Sequence, residues 1–210
     1  VKSAASNLFQ FAERTPLEAN SVNRLAGEEK IVTEKQDVKQ GKLNIGYRTN
    51  VKYGDPDYNA LQVFNGIFGG FSHSKLFLNV REKNSLAYYV ASRLESHKGL
   101  MMVMSGIEFE NFDLAVTIIK EQMAAMKSGD FTDEELEQTK AVIQNQLLET
   151  LDTARGMVEL LYHDVVSKIK VPFDDWIQGM QETTKDEIVA VANKVNLDTI
   201  YFLTGMEAAE

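Results

Sequence analysis

Apolar and polar residues alternate along two segments near the start of the chain, Lys30 to Val38 and Lys42 to Thr49. Because successive side chains of a strand point to opposite faces, this alternation predicts two β-strands, joined by a turn at Gln40-Gly41. Residues 1–27 lack the alternation and are predicted to form a helical lead-in or linker, interrupted at Pro16.

After Thr49 the apolar residues recur at helical spacing. Asp55 and Pro56 predict the start of a helix, as its N-cap and its first helical residue, and Gly69-Gly70 predicts its end. The buried stripe of this helix consists of Leu61, Phe64, Ile67 and Phe68. A second short helix is predicted from Ser74 to Glu82.

Two further strands, Leu86 to Leu94 and Leu100 to Ile107, are predicted to pair through a turn at residues 96–99. The chain then becomes helical, and the first of these helices is predicted to end at Gly129. Capping boxes at Thr132/Glu135 and Thr184/Glu187 predict the starts of two helices, the first of which runs to about Leu151. Further helices are predicted at Ala154 to Ser167 and after Pro172. A last strand is predicted at Thr199 to Thr204.

The order of these elements predicts an α+β fold. Few strands alternate singly with helices, which argues against a doubly wound parallel sheet. We therefore expect a mainly antiparallel sheet with helices packed on one face, a two-layer sandwich formed by residues 28–210 as a single domain.

Composition restricts the partners of the chain. A formal net charge of −9 disfavours nucleic acid and anionic membranes. The chain contains no cysteine, which excludes disulfides, thiolate zinc sites and a cysteine nucleophile. With no signal peptide pattern in the first 15 residues, we expect a cytoplasmic protein.

The chain carries no recognisable set of metal ligands. Its three histidines, His73, His97 and His163, are far apart in sequence, and neither H-E-x-x-H nor H-x-x-E-H occurs. Glu159 and His163 share a helical face but have no identifiable third ligand, so a hydrogen-bonded pair is the simpler interpretation. His97 lies in the turn at residues 96–99, where we expect a solvated histidine.

The segment from Gly69 to Tyr88, GGFSHSKLFLNVREKNSLAY, resembles the second-domain signature of the pitrilysin family of zinc metallopeptidases. That family includes insulin-degrading enzyme, mitochondrial processing peptidase and bacterial zinc-protease-like proteins. The resemblance is specific around Arg81 and is supported by the helical block and by Asp175-Trp176-Ile177 near the end. It implies the metallopeptidase half-domain type of α+β sandwich.

The resemblance also implies a function. In such peptidases the zinc is bound by the first half, and the second half supplies an Arg and a Tyr that hold the substrate backbone, which correspond here to Arg81 and Tyr88. It implies a non-catalytic half, inactive alone and without its own cofactor. The zinc is then expected in an N-terminal half or a homologous subunit, and the chain contributes peptide binding and closure of the cleavage chamber.

Two alternatives remain open. One is an inactive peptidase homologue that acts as a scaffold or partner subunit of an active zinc peptidase and binds peptides by addition to an edge strand. The other is an unrelated α+β ligand-binding domain. In a purely structural role, Arg81 pairs with an acidic neighbour and Tyr88 packs on the sheet.

Overall fold

The structure is a computed structural model that describes Ser3, Leu8, Phe9, Thr15 and residues 27–206. The predicted lead-in at residues 1–27 lies almost entirely outside the described residues. The boundary at residue 28 therefore stays a prediction.

Within residues 27–206, five strands form one mixed sheet in the order β1-β5-β2-β4-β3. The strand β1 runs parallel to β5, whereas the pairings of β2 with β5, β2 with β4 and β3 with β4 are antiparallel. The predicted, mainly antiparallel sheet is thus confirmed. The strands are β1 Lys30–Gln36, β2 Gly41–Arg48, β3 Ala87–Glu95, β4 Leu100–Ile107 and β5 Asn196–Gly205.

The first two strands are joined by residues 37–40, so Gly41 of the predicted turn is instead the first residue of β2. The two strands are not neighbours in the sheet, because β5 lies between them. The strand β2 is central and buries Leu43, Ile45 and Tyr47 on one face. At all seven of its positions the edge strand β1 is exposed. A short connection between two strands does not require them to pair with each other, because the burial of apolar faces determines which strands pair.

The same described range contains six α-helices, most of which pack on the sheet face that carries Leu43, Ile45 and Tyr47. Edge-to-face contact of Tyr47 with Phe68 and ring contact of Phe202 with Phe112 join the two layers. The helices are α1 Tyr58–Asn65, α2 Phe112–Ser128, α3 Asp133–Leu151, α4 Ala154–Ser167, α5 Phe173–Glu182 and α6 Lys185–Lys194. The two-layer α+β arrangement is confirmed.

The predicted start of α1 is wrong by two residues. The N-cap is Asp57, and Asp55 instead accepts a hydrogen bond from the backbone N–H of Lys52 at 2.8 Å. A short polar side chain before a helix can bond either to the helix N-terminus or to a preceding turn, and here the turn is closer.

None of the described helices combines the length with the apolar character that crossing a bilayer requires.

Candidate functional site

The glycine-rich segment before Arg81 packs too closely against the sheet for larger residues. Helix α1 continues into a π-helical turn, Gly66–Gly70. A Cβ atom at Gly69 would lie 2.7 Å from both the Leu76 Cδ1 and the Ser92 Oγ atoms, well inside normal van der Waals contact. Ser92 belongs to β3, so the glycine permits this turn to approach the strand that follows the site.

Arg81 lies near the end of a second π-helical segment, Phe77–Glu82. Val80, which is fully buried, anchors this segment in the core. The loop that follows is closed by two backbone hydrogen bonds of 3.0 Å, from Ser85 to the Arg81 carbonyl and from Leu86 to the Val80 carbonyl. Ser85 has a φ of 51°, a left-handed conformation that reverses the chain into β3.

The guanidinium of Arg81 faces solvent, with 44% of the side chain exposed. It lies 4.8 Å from the centre of the Phe77 ring, and its Nε atom is 3.7 Å from the Glu82 carboxylate. An exposed ion pair at this distance contributes at most about 1 kcal/mol. Glu82 therefore does not hold the guanidinium firmly, and the N–H groups of Arg81 remain available to a ligand.

Tyr88 is the extra residue of a β-bulge. In the pairing of β3 with β4, Ala87 lies opposite Ile107 and Tyr89 lies opposite Gly106, so Tyr88 has no partner of its own. A bulge changes the direction of one side chain, and the Tyr88 side chain is 79% exposed. The structure thus contradicts the alternative in which Tyr88 packs on the sheet.

Arg81 and Tyr88 are therefore both on the surface, one at the end of a helical segment and the other at the start of β3. Each side chain is a hydrogen-bond donor, and the two are seven residues apart across a short loop. The exposed apolar side chains of Leu78 and Tyr89 lie on the same two elements.

The histidines do not form a metal site. His73 bonds through Nε2 to the Thr139 hydroxyl at 3.0 Å, and Glu159 pairs with Arg155, leaving His163 without the predicted carboxylate partner. In the described part of the chain, no three His, Cys, Asp or Glu side chains converge as a ligand set. The side chains in that part therefore do not fit a zinc ion.

The expectation of a solvated His97 is wrong. Its Nε2 atom lies 2.7 Å from Nδ1 of His163, which is 66 residues further along the chain. The ring centres are 5.0 Å apart and the ring planes differ by only 21°, a nearly coplanar arrangement that fits an N–H···N hydrogen bond. No local pattern indicates this pair, because the turn and α4 meet only in the tertiary structure.

Residues 5–143 match the family described as the peptidase M16 inactive domain. The chain is 55% identical to the probable inactive metalloprotease YmfF of Bacillus subtilis over the whole of this chain and 49% of that protein. It is 27% identical to the mitochondrial-processing peptidase subunit beta of Saccharomyces cerevisiae over 68% of this chain and 34% of that protein. The chain thus spans half or less of the length of these relatives.

Among solved structures, a conserved protein from Enterococcus faecalis superposes with a TM-score of 0.85 and 38% identity. The superposition covers 91% of this chain and 46% of that chain. The resemblance inferred from the segment around Arg81 is confirmed by these similarities.

Proposed function

Because the chain belongs to the peptidase M16 family, as its inactive domain, we propose that it is the non-catalytic half of a zinc metallopeptidase. In this proposal it binds the peptide substrate and closes the cleavage chamber against a zinc-bearing half. That half is either part of the same polypeptide or a homologous subunit.

The observation that carries the proposal is the bulge at Tyr88. A bulge removes one regular residue pair from the pairing of two strands. Here it exposes the large aromatic side chain of Tyr88, which follows the exposed Arg81 after a short loop. Packing gives no reason for that exposure, whereas contact with a ligand does. The Arg81 guanidinium and the Tyr88 hydroxyl can each donate a hydrogen bond to a peptide carbonyl.

In this division of labour, a zinc ion held by the other half would supply the Lewis-acid chemistry of peptide hydrolysis. The residues of this chain orient the peptide.

A second candidate is an inactive homologue that acts as a scaffold. The name of the 55% identical relative, a probable inactive metalloprotease, favours it. So does β1, an edge strand exposed at every position, because such an edge can accept an added strand.

The test is to introduce Arg81→Ala and Tyr88→Phe separately into the active assembly. Loss of one hydrogen bond to a peptide carbonyl should reduce kcat/KM by roughly 10- to 100-fold for Arg81→Ala and less for Tyr88→Phe. Zinc content, measured by metal analysis, should not change.

The matched control is Arg93→Ala, which removes an exposed arginine further along β3 and should preserve kcat/KM. If both site variants keep full activity while omission of the chain abolishes it, the scaffold role is correct and substrate contact by Arg81 and Tyr88 is refuted.

A further inference from the structure

Helix α4, Ala154–Ser167, carries its apolar face on the outside. At about 100° per residue, six apolar side chains occupy one half of its circumference. All six are exposed to solvent: Met157 by 46%, Val158 by 65%, Leu161 by 62%, Tyr162 by 61%, Val165 by 75% and Val166 by 43%. In an amphipathic helix of a monomeric protein this half faces the core, so the orientation of α4 is the reverse of the usual one.

The body of the protein holds α4 largely through polar side chains. His163 bonds to His97 in the turn between β3 and β4, and Asp164 accepts a 2.9 Å hydrogen bond from the Tyr53 hydroxyl. Among the apolar residues of α4, Leu160 is half-buried and packs against the core. These polar contacts fix which side of the helix faces outward.

Beside this apolar ridge lies a groove between α4 and α5 with a volume of about 280 Å³. Met157 and Leu161 form one wall, and Phe173 and Trp176 form the other. The groove also contains Asp164 and Lys170, so it offers one carboxylate and one ammonium group among apolar walls.

We propose that this face is the interface for a second copy of the chain, in a two-fold symmetric dimer. An isologous interface needs a surface that is complementary to itself. A ridge next to a groove is such a surface, because the ridge of each copy can enter the groove of the other. Tyr162 is the aromatic residue of the ridge, and in this dimer its ring enters the groove of the other copy, whose lining includes Phe173 and Trp176.

The area of the ridge agrees with this occupant. From their exposed fractions, the six side chains present on the order of 600 Å² per copy, at the upper end of the largest apolar patch on a typical monomer. Two copies would bury roughly 1,200 Å², which is the lower limit for a specific interface.

Charge does not oppose the contact. The chain has a formal charge of −9, yet none of the six ridge residues is acidic. The two acidic side chains of α4 are engaged elsewhere, Asp164 with Tyr53 and Glu159 with Arg155. Repulsion between copies is therefore long-range and screened by salt, while the interface itself is neutral.

This dimer is independent of the proposed peptide contacts. Helix α4 is held at the turn that ends β3, whereas Tyr88 is the second residue of β3. At 3.3 Å per residue the two ends of this strand are roughly 25 Å apart. A dimer through α4 leaves Arg81 and Tyr88 accessible, so either proposal can fail without the other.

Analytical ultracentrifugation of the purified chain, at concentrations up to roughly 100 µM, tests the dimer. We expect a reversible monomer–dimer equilibrium. Val165→Glu should raise the dimer Kd at least about 10-fold by placing a charge in an apolar interface, and Tyr162→Ala should raise it without adding charge. Far-UV circular dichroism and thermal unfolding verify that each variant is folded.

The matched control is Leu114→Glu, at an apolar helical position of α2 that is 50% exposed, and it should leave Kd unchanged. A wild-type chain that stays monomeric at every concentration would overturn the proposal. A dimer that survives both α4 variants, or one that Leu114→Glu disrupts equally, would also overturn it.

Discussion

The hydrogen bond between His97 and His163 limits how many protons the two rings can carry. One ring must donate and the other accept, and when both are cationic every nitrogen carries a proton and the bond is lost. Burial lowers the pKa of His97, and the charge of His163 lowers it further, while Glu95 opposes them. Asp164, the other acidic group nearby, is bonded to Tyr53.

The sign of the resulting pH dependence follows from this lowered pKa. The unfolded chain takes up a proton on His97 near the usual pKa of 6.5, before the folded protein does. The stability contributed by the neutral ring is thus complete above that value and is lost as pH falls through the lower, folded-state pKa. His73, whose pKa is lowered mainly by burial, acts in the same direction.

We therefore predict that the free energy of unfolding is lower at about pH 5.5 than at about pH 7.5, and that His97→Gln makes this difference smaller. Urea denaturation at the two pH values measures both quantities. His73→Gln is the comparison variant, because it removes a separate contribution and leaves the pair intact. An unchanged difference in His97→Gln would show that the pair does not titrate with folding.

At the scale of elements, local capping patterns determined where the long helices begin. Thr132 and Glu135 form a reciprocal capping box at α3, with hydrogen bonds of 3.1 Å and 2.7 Å, and Thr184 with Glu187 forms another at α6. Both agree with the prediction from sequence. At α1 the same reasoning misplaces the N-cap, because Asp55 bonds to a turn.

We predict that Thr132→Ala lowers the free energy of unfolding by about 1 kcal/mol, since it leaves a helix N-terminal N–H without its acceptor. Thr132→Ser retains the hydroxyl oxygen and should stay close to wild type. Urea denaturation at neutral pH compares the three proteins. Equal stability of the alanine variant and wild type would mean that water replaces the cap at no cost.

At the scale of the whole molecule, the described residues hold no converging set of three His, Cys, Asp or Glu side chains. We predict that the purified chain, dialysed after exposure to zinc, retains far less than one equivalent and cleaves no peptide. Metal analysis by mass spectrometry and a peptide cleavage assay measure the two outcomes. One tightly held zinc per chain would contradict the assignment of zinc to another half.

The sequence by itself determined the features that depend on neighbouring residues: the period of each strand and helix, the capping boxes, the end of α2 at Gly129 and the segment from Gly69 to Tyr88 that identifies the family. These rest on contacts within a few positions of the chain, which a linear pattern records.

Only the tertiary structure decided which distant residues meet. It placed β5 between β1 and β2, turned Tyr88 outward through a bulge, joined His97 to His163 and left the apolar face of α4 uncovered. Each outcome depends on strand register or on the side of a helix that packs. Strand register and helix orientation are determined by the burial of apolar side chains that are far apart in sequence. Many weak contacts contribute to that burial, so no local sequence pattern predicts its outcome.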